Sequence, residues 1–128
     1  MEDAINGTGL ETQKALTYRQ MKENLFETLC VIPARGGSKR IPKKNIRYFC
    51  GSPIISWSVD VAIRSDLFSR IIVSTDDPDI AEIAKEFGVE VPFIRPSELA
   101  DDYTGTIPAI RHAIESLEQE GFYPNFVC

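Results

Sequence analysis

Leu29-Cys30-Val31-Ile32-Pro33-Ala34-Arg35-Gly36-Gly37-Ser38-Lys39-Arg40-Ile41-Pro42-Lys43-Lys44-Asn45 is the stretch that decides the fold. Its four leading apolar residues, stopped by a proline, have the pattern of a short strand buried on both faces, as in a parallel sheet. The loop that follows gathers Arg35, Lys39, Arg40, Lys43, Lys44 and, just beyond, Arg47, with no acid among them. A strand that feeds a glycine-bearing cationic loop matches how α/β domains present an anion site beyond a strand's carboxyl end.

Downstream the same unit recurs. Ser52-Pro53 predicts a helix start, with serine as N-cap and proline at the first helical position. Ile55, Val59, Ala62 and Ile63 then share a face, and Arg70–Ser74 reads as a second strand. Asp77-Pro78 opens another helix by the same logic; its stripe is Ile80, Ile83, Ala84 and Phe87, and Gly88 ends it. Residues 90–94 predict a third strand, at an edge or irregular because Pro92 cannot donate to a ladder. Ile110, Ala113, Ile114 and Leu117 mark a third helix up to Gly121, and Phe126-Val127 opens a fourth strand. The alternation predicts an α/β, Rossmann-like fold, a mostly parallel sheet with helices on both faces. Ligands should then meet residues 33–47, 74–77 and 95–106, at the carboxyl ends of the strands.

At 128 residues the chain suits one domain, and 43% hydrophobic with 26% charged residues excludes disorder and coiled coil. No apolar run approaches the roughly 20 residues of a membrane span. The first thirty residues lack a secretory pattern. Three cysteines without a C-x-x-C pair argue against a disulfide framework or zinc site, so a cytoplasmic location is expected. Residues 1–25 read as a polar extension in which 13–27 has imperfect helical spacing, and Met21 is the expected functional start. Residues 26–128 read as the N-terminal part of a domain, incomplete and cut after its third helix. Net charge is −5, yet outside the basic loop only 8 basic side chains face 19 acidic ones. An acidic protein with one cationic loop suits a compact polyanion such as a triphosphate better than nucleic acid.

Within the loop, Gly36 and Gly37 let backbone amides approach an anion, Arg35 offers a planar fork, and Lys39 and Lys44 supply point charges. Asn45 carries the donor and acceptor that reading a base requires. The pattern is neither G-x-x-x-x-G-K-[ST] nor G-x-G-x-x-G. The residues alone also allow a solvated basic loop or a nuclear-import-like run over Lys39–Lys44. Asp76 and Asp77 lie where Mg²⁺ or ribose contacts occur, although Asp77 before Pro78 is also a good cap. Asp101 and Asp102 face substrate or form a turn. His112, beside an apolar helix face, reads as packed, and Trp57 as packing at a domain or subunit boundary.

The run Ile32–Asn45, together with Ile71–Asp76, Gly88–Pro92 and Arg95–Asp102, resembles the cytidylyltransferases that activate nonulosonic (sialic-type) acids. The stretch Arg95–Thr106 is most similar to the pseudaminic acid branch. A relative acting on eight-carbon keto-deoxy sugars shares the loop but usually lacks its paired glycines and Lys-Asn step. The resemblance implies a nucleotide-diphospho-sugar transferase fold and transfer of CMP from CTP to a nine-carbon keto sugar acid, releasing pyrophosphate with Mg²⁺. It implies a nucleotide-binding set of Ala34, Arg35, Gly36, Gly37, Ser38, Lys39, Lys44, Asn45, Arg95 and Thr106. Arg35, Lys39 and Lys44 would carry the catalytic charge, and Asn45 would contact cytosine. No metal ligand is expected in this chain, since the family's metal-binding aspartates, much of its sugar pocket and its homodimer contacts lie in a second half. The chain alone is therefore expected to be inactive, with neither nucleic acid nor membrane as partner.

Overall fold

The computed structural model describes residues 26–128. The expected extension over 1–25, most of the helix over 13–27 and the start at Met21 lie outside them. Strand β1 (Thr28–Pro33) is central, with β4 (Arg70–Ser74) parallel on one side and β5 (Phe126–Val127) parallel on the other. Leu29 lies opposite Arg70 on one side and Val127 on the other. Between β1 and β4 run the hairpin β2 (Tyr48–Phe49)–β3 (Ser52–Pro53) and helix α1 (Ile54–Ser65). Helix α2 (Pro78–Glu86) follows β4, and α3 (Thr106–Gln119) precedes β5.

Helices cover both faces, which explains why the strand sequences are apolar without alternation. Ile32 and Val73 point to one side, where Ile55 and Val59 of α1 meet Ile80 and Ala84 of α2. Leu29, Val31 and Ile72 point to the other, against Ala113 and Leu117 of α3. His112 packs its ring edge on Phe93 at 4.8 Å between centroids, and its Nδ1 is buried without a partner. The α2 start follows the sequence: Asp77 Oδ1 accepts from the Asp79 amide at 2.8 Å, with Pro78 at the first position.

Four expectations need correction. Ser52-Pro53 does not start a helix; it pairs with Tyr48-Phe49 across a turn in which Cys50 (φ 49) and Gly51 (φ +85) are both left-handed. Two central residues with positive φ are what a tight hairpin with the strands' own twist requires. Helix α1 therefore begins at Ile54 without a side-chain cap. Ile63 and Phe87, placed on buried stripes, are 45% and 40% exposed; Ile63 lies in the last turn of α1, and Phe87 is the residue that caps α2. Residues 90–94 form no strand beyond one bridge between Glu90 and Ile72. Val73 N–H donates to Glu90 O at 2.9 Å, and the next tie is Arg95 N–H to Thr75 O at 2.7 Å; Pro92, between them, has no N–H to give. Trp57 is 45% exposed, and its Nε1 donates to Phe49 O at 2.9 Å, pinning the hairpin to α1.

Candidate functional site

The three segments expected at the carboxyl ends of the strands do converge. Two of them, 33–47 and 95–106, line a cleft of about 260 Å³ with Arg35, Ser38, Lys44, Asn45, Arg95 and Thr106 of the expected set, whereas 74–77 supplies no lining residue and holds the other two in place through Ser74 and Asp76. Leu99, Asp101, Thr104, Gly105 and Ala109 complete its far wall. Four expected residues stand outside the lining. Ala34 is buried at 1% exposure among α1 and α2 side chains, and its amide is spent on Ser74 O at 2.9 Å. Gly36 donates its amide to Asp76 Oδ1 at 2.9 Å, and Gly37 has open space where a Cβ would stand. Lys39 lies at the rim with its side chain 76% exposed. Of the two glycine amides expected to face an anion, that of Gly36 is held by Asp76, and with the Ala34 amide on Ser74 it fixes the loop's course.

Gly36 is required by approach: a Cβ there would lie 2.5 Å from Asp77 Oδ2 and 2.8 Å from its Cβ. Asp76 and Asp77 therefore serve the loop and the α2 cap. Asn45, in a short 3₁₀ turn (Lys44–Ile46), reaches back to donate to Arg35 O at 2.9 Å while lining the cleft. Not all the cations converge. Lys43, left-handed at φ 50, bonds to Asp79 at 3.0 Å, which raises its pKa, and Arg40 and Arg47 are exposed.

Arg95 is the central charge of the cleft, 5% exposed. Its guanidinium donates to Ser74 Oγ at 3.0 Å, to Ser74 O at 2.5 Å and to Leu99 O at 3.5 Å, all neutral acceptors. Burial pushes its pKa below the usual arginine value; Asp76 opposes that shift and Arg35 adds to it. Helix α3 begins at this wall with no side-chain cap at Gly105. Its unpaired first-turn amides add positive potential where Arg95 sits.

Across the mouth, Asp102 bridges Arg35 (Oδ1 to NH1, 2.9 Å) and Lys39 (Oδ2 to Nζ, 2.9 Å). Lys39 first, then Arg35, hold its carboxyl below the ordinary range. Asp101 bonds instead to the Thr104 and Tyr103 amides at 2.6 and 3.0 Å, while its own carbonyl takes Arg35 NH1 at 2.8 Å. Asp101-Asp102 is thus both a turn and a partner of the basic loop. The pairing of Ser74 with Arg95 escaped sequence reading, as did the part Asp102 plays. The acid pair itself was the only available signal. Among the described residues, no group of three or more His, Cys, Asp or Glu side chains could hold a metal ion.

A family described as cytidylyltransferase matches residues 29–120. The pseudaminic acid cytidylyltransferase of Campylobacter jejuni subsp. jejuni serotype O:23/36 (strain 81-176) is 45% identical over 103 residues, 80% of this chain and 44% of that protein. The N-acylneuraminate cytidylyltransferase of Escherichia coli O18:K1:H7 is 34% identical over 86 residues, 67% of this chain and 20% of that protein. The structure of CMP:2-keto-3-deoxy-manno-octonic acid synthetase complexed with CTP superposes with a TM-score of 0.60 at 26% identity, over 70% of this chain and 35% of that one. The chain spans less than half the length of these relatives.

Proposed function

The chain belongs to the cytidylyltransferase family, and from that premise we propose that its cleft seats CTP for transfer of CMP to a nonulosonic acid, with release of pyrophosphate. The observation that carries this reading is the convergence of Arg35, Lys44, Asn45 and Arg95 with the uncapped start of α3 on one hollow beyond the strands. Anion binding there follows from oriented amides and desolvated cations. Pseudaminic acid is the favoured acceptor, on the similarity over Arg95–Thr106 and the 45% identity to an enzyme of that name.

In the proposed reaction the acceptor's anomeric hydroxyl oxygen attacks the α-phosphorus, its proton passes to solvent, and the bond to the bridging oxygen of pyrophosphate breaks, that oxygen keeping the electron pair. Arg35, Lys39 and Lys44 offset charge gathering on that leaving group, because such transfer depends on positioning and charge neutralisation rather than a covalent protein group. Ser38 and the Gly36-Gly37 turn shape the phosphate seat. Asn45 and Thr106 face the nucleoside, and Ala34 fixes the loop's root. Mg²⁺ belongs to the same proposal as charge on the phosphates, with protein ligands supplied from outside the described residues. A homodimer and the cytoplasm complete the proposal. Among the described residues no helix is long and apolar enough to cross a membrane.

Calorimetry of the 128-residue chain with CTP and ATP tests the reading. Saturable binding that favours CTP is expected, without turnover by this stretch alone. Arg35→Ala removes a charged fork worth about 1.5–3 kcal/mol and should weaken CTP tenfold to a hundredfold. Equal affinity for both nucleotides, or indifference to Arg35, would overturn it.

A further inference from the structure

Arg35 and Lys39 come from the basic loop and Asp102 from the opposite wall, so their bridge is a strap joining the two sides of the cleft at its mouth. Its members differ from the deeper groups. Arg95, Asn45 and Thr106 line the hollow, whereas Lys39 and Asp102 stand outside the lining, and only Arg35 belongs to both. Asp102 presents one carboxylate oxygen to each cation at 2.9 Å, as two oxygens of a phosphate would. Arg35 NH1 is fully occupied by Asp102 and the Asp101 carbonyl. Asp101 is locked into its own turn by two amides, but no described side chain other than Arg35 and Lys39 bonds the Asp102 carboxylate, so these are the only ties to break.

We infer that Asp102 is a specificity-determining counter-anion: it holds Arg35 and Lys39 shut in the free protein and is displaced by the terminal phosphates of the nucleotide. The inference rests on the CTP reading for which ligand enters, but the exchange itself needs only a polyphosphate. A ligand whose single phosphate stays inside the hollow leaves the strap closed and gains nothing from its removal. A triphosphate reaching the rim must break both ion pairs and then lie beside a carboxylate of its own sign. Asp102 thereby opposes polyphosphates alone, and the effect is greatest at low ionic strength, because the Lys39 side chain is 76% exposed and salt screens its attraction to the carboxylate.

The test compares Asp102→Asn, and Asp102→Ala as a second variant, with the parent chain, titrating CTP, CMP and inorganic tripolyphosphate at low salt. Thermal melts confirm that each variant is folded. Both variants should bind CTP and tripolyphosphate about five- to twentyfold more tightly than the parent, with CMP changed less than twofold. CTP binding that is unchanged or weaker would make Asp102 an orienting partner of Arg35 and overturn the inference. Equal tightening of CMP and CTP would overturn the assignment of the strap to the terminal phosphates. Tripolyphosphate binding as tight as CTP in every chain would sink the cytidine reading and leave the counter-anion standing, so the two failures are distinct.

Discussion

Two arginines bracket strand β4, and the protein treats them oppositely. Arg70, its first residue, gives Glu90 a two-pronged grip at 3.0 and 2.7 Å, has Glu120 at 3.6 Å, and lies over the Phe122 ring at 5.1 Å. The Glu90 hydrogen bond raises its pKa. Arg95, packed on the last residue of the strand, is more deeply buried yet bonds only to neutral oxygens, and burial lowers its pKa. A buried charge is costly unless paired. At the amino end of the sheet that cost is met by carboxylates in contact; at the carboxyl end it is left for Asp76 to soften at a distance. The difference is what separates a structural cation from one kept for an incoming anion.

The largest effect should come from Arg95→Met, which keeps apolar bulk and removes the charge. CTP affinity is expected to fall about a hundredfold, the upper end of the scale of a charged hydrogen bond because the site is buried. Unfolding free energy should change by less than about 1 kcal/mol, because the donor lost to the Ser74 acceptors is offset by removal of a buried charge that no carboxylate contacts. Titration calorimetry and urea melts measure the two. Binding kept within threefold would erase the distinction between the arginines.

Next in size is Gly36→Ala set against Gly37→Ala. The new methyl at position 36 collides with Asp77, so the α2 cap must move and the Asp76 tie to the loop with it. A cap is worth about 1 kcal/mol, so a loss of about 1–2 kcal/mol and weaker CTP binding are expected. At position 37 there is nothing within 4 Å of the added methyl, and stability should hold within about 0.5 kcal/mol. Equal losses at the two positions would show that the loop, unlike the Arg70 end, is not held by these acids.

Much of this was legible because burial on two faces leaves a plain mark: Leu29–Ile32 and Arg70–Ser74 could hardly be anything but inner strands, and the helix stripes followed. The hairpin was hidden by chemistry that mimics something else. Ser52-Pro53 has the residues of a helix start, and its true role depends on positive φ at Cys50, which no side chain announces. At the site, Arg35, Ser38, Lys44 and Asn45 were readable as one contiguous loop. Strand order placed the segment 95–106 beside that loop, but Arg95 and Thr106 were singled out within it only through family resemblance, since nothing local marks which of its side chains turn inward. The Asp102 bridge depends on how two loops fold over each other, and it left no periodic trace.

The smallest effect belongs to Glu90→Gln, and it tests the other arginine. The Glu90 pKa is lowered, chiefly by its hydrogen bond to Arg70. A carboxyl with a folded pKa below its unfolded one stabilises fully at pH above the ordinary glutamate value. That contribution drains away as pH falls through the lowered folded value. The Glu90 side chain is 50% exposed, so solvent screening limits the pair to about 0.2–1 kcal/mol at neutral pH. Melts of parent and variant should differ by that amount at pH 7 and converge in acid, where protonated Glu90 and glutamine are alike. A gap that persists below that window would mean Glu90 acts through packing rather than charge. Arg70 would then depend on Glu120, 3.6 Å away, for its neutralisation, and the two ends of β4 would differ less than their geometry says.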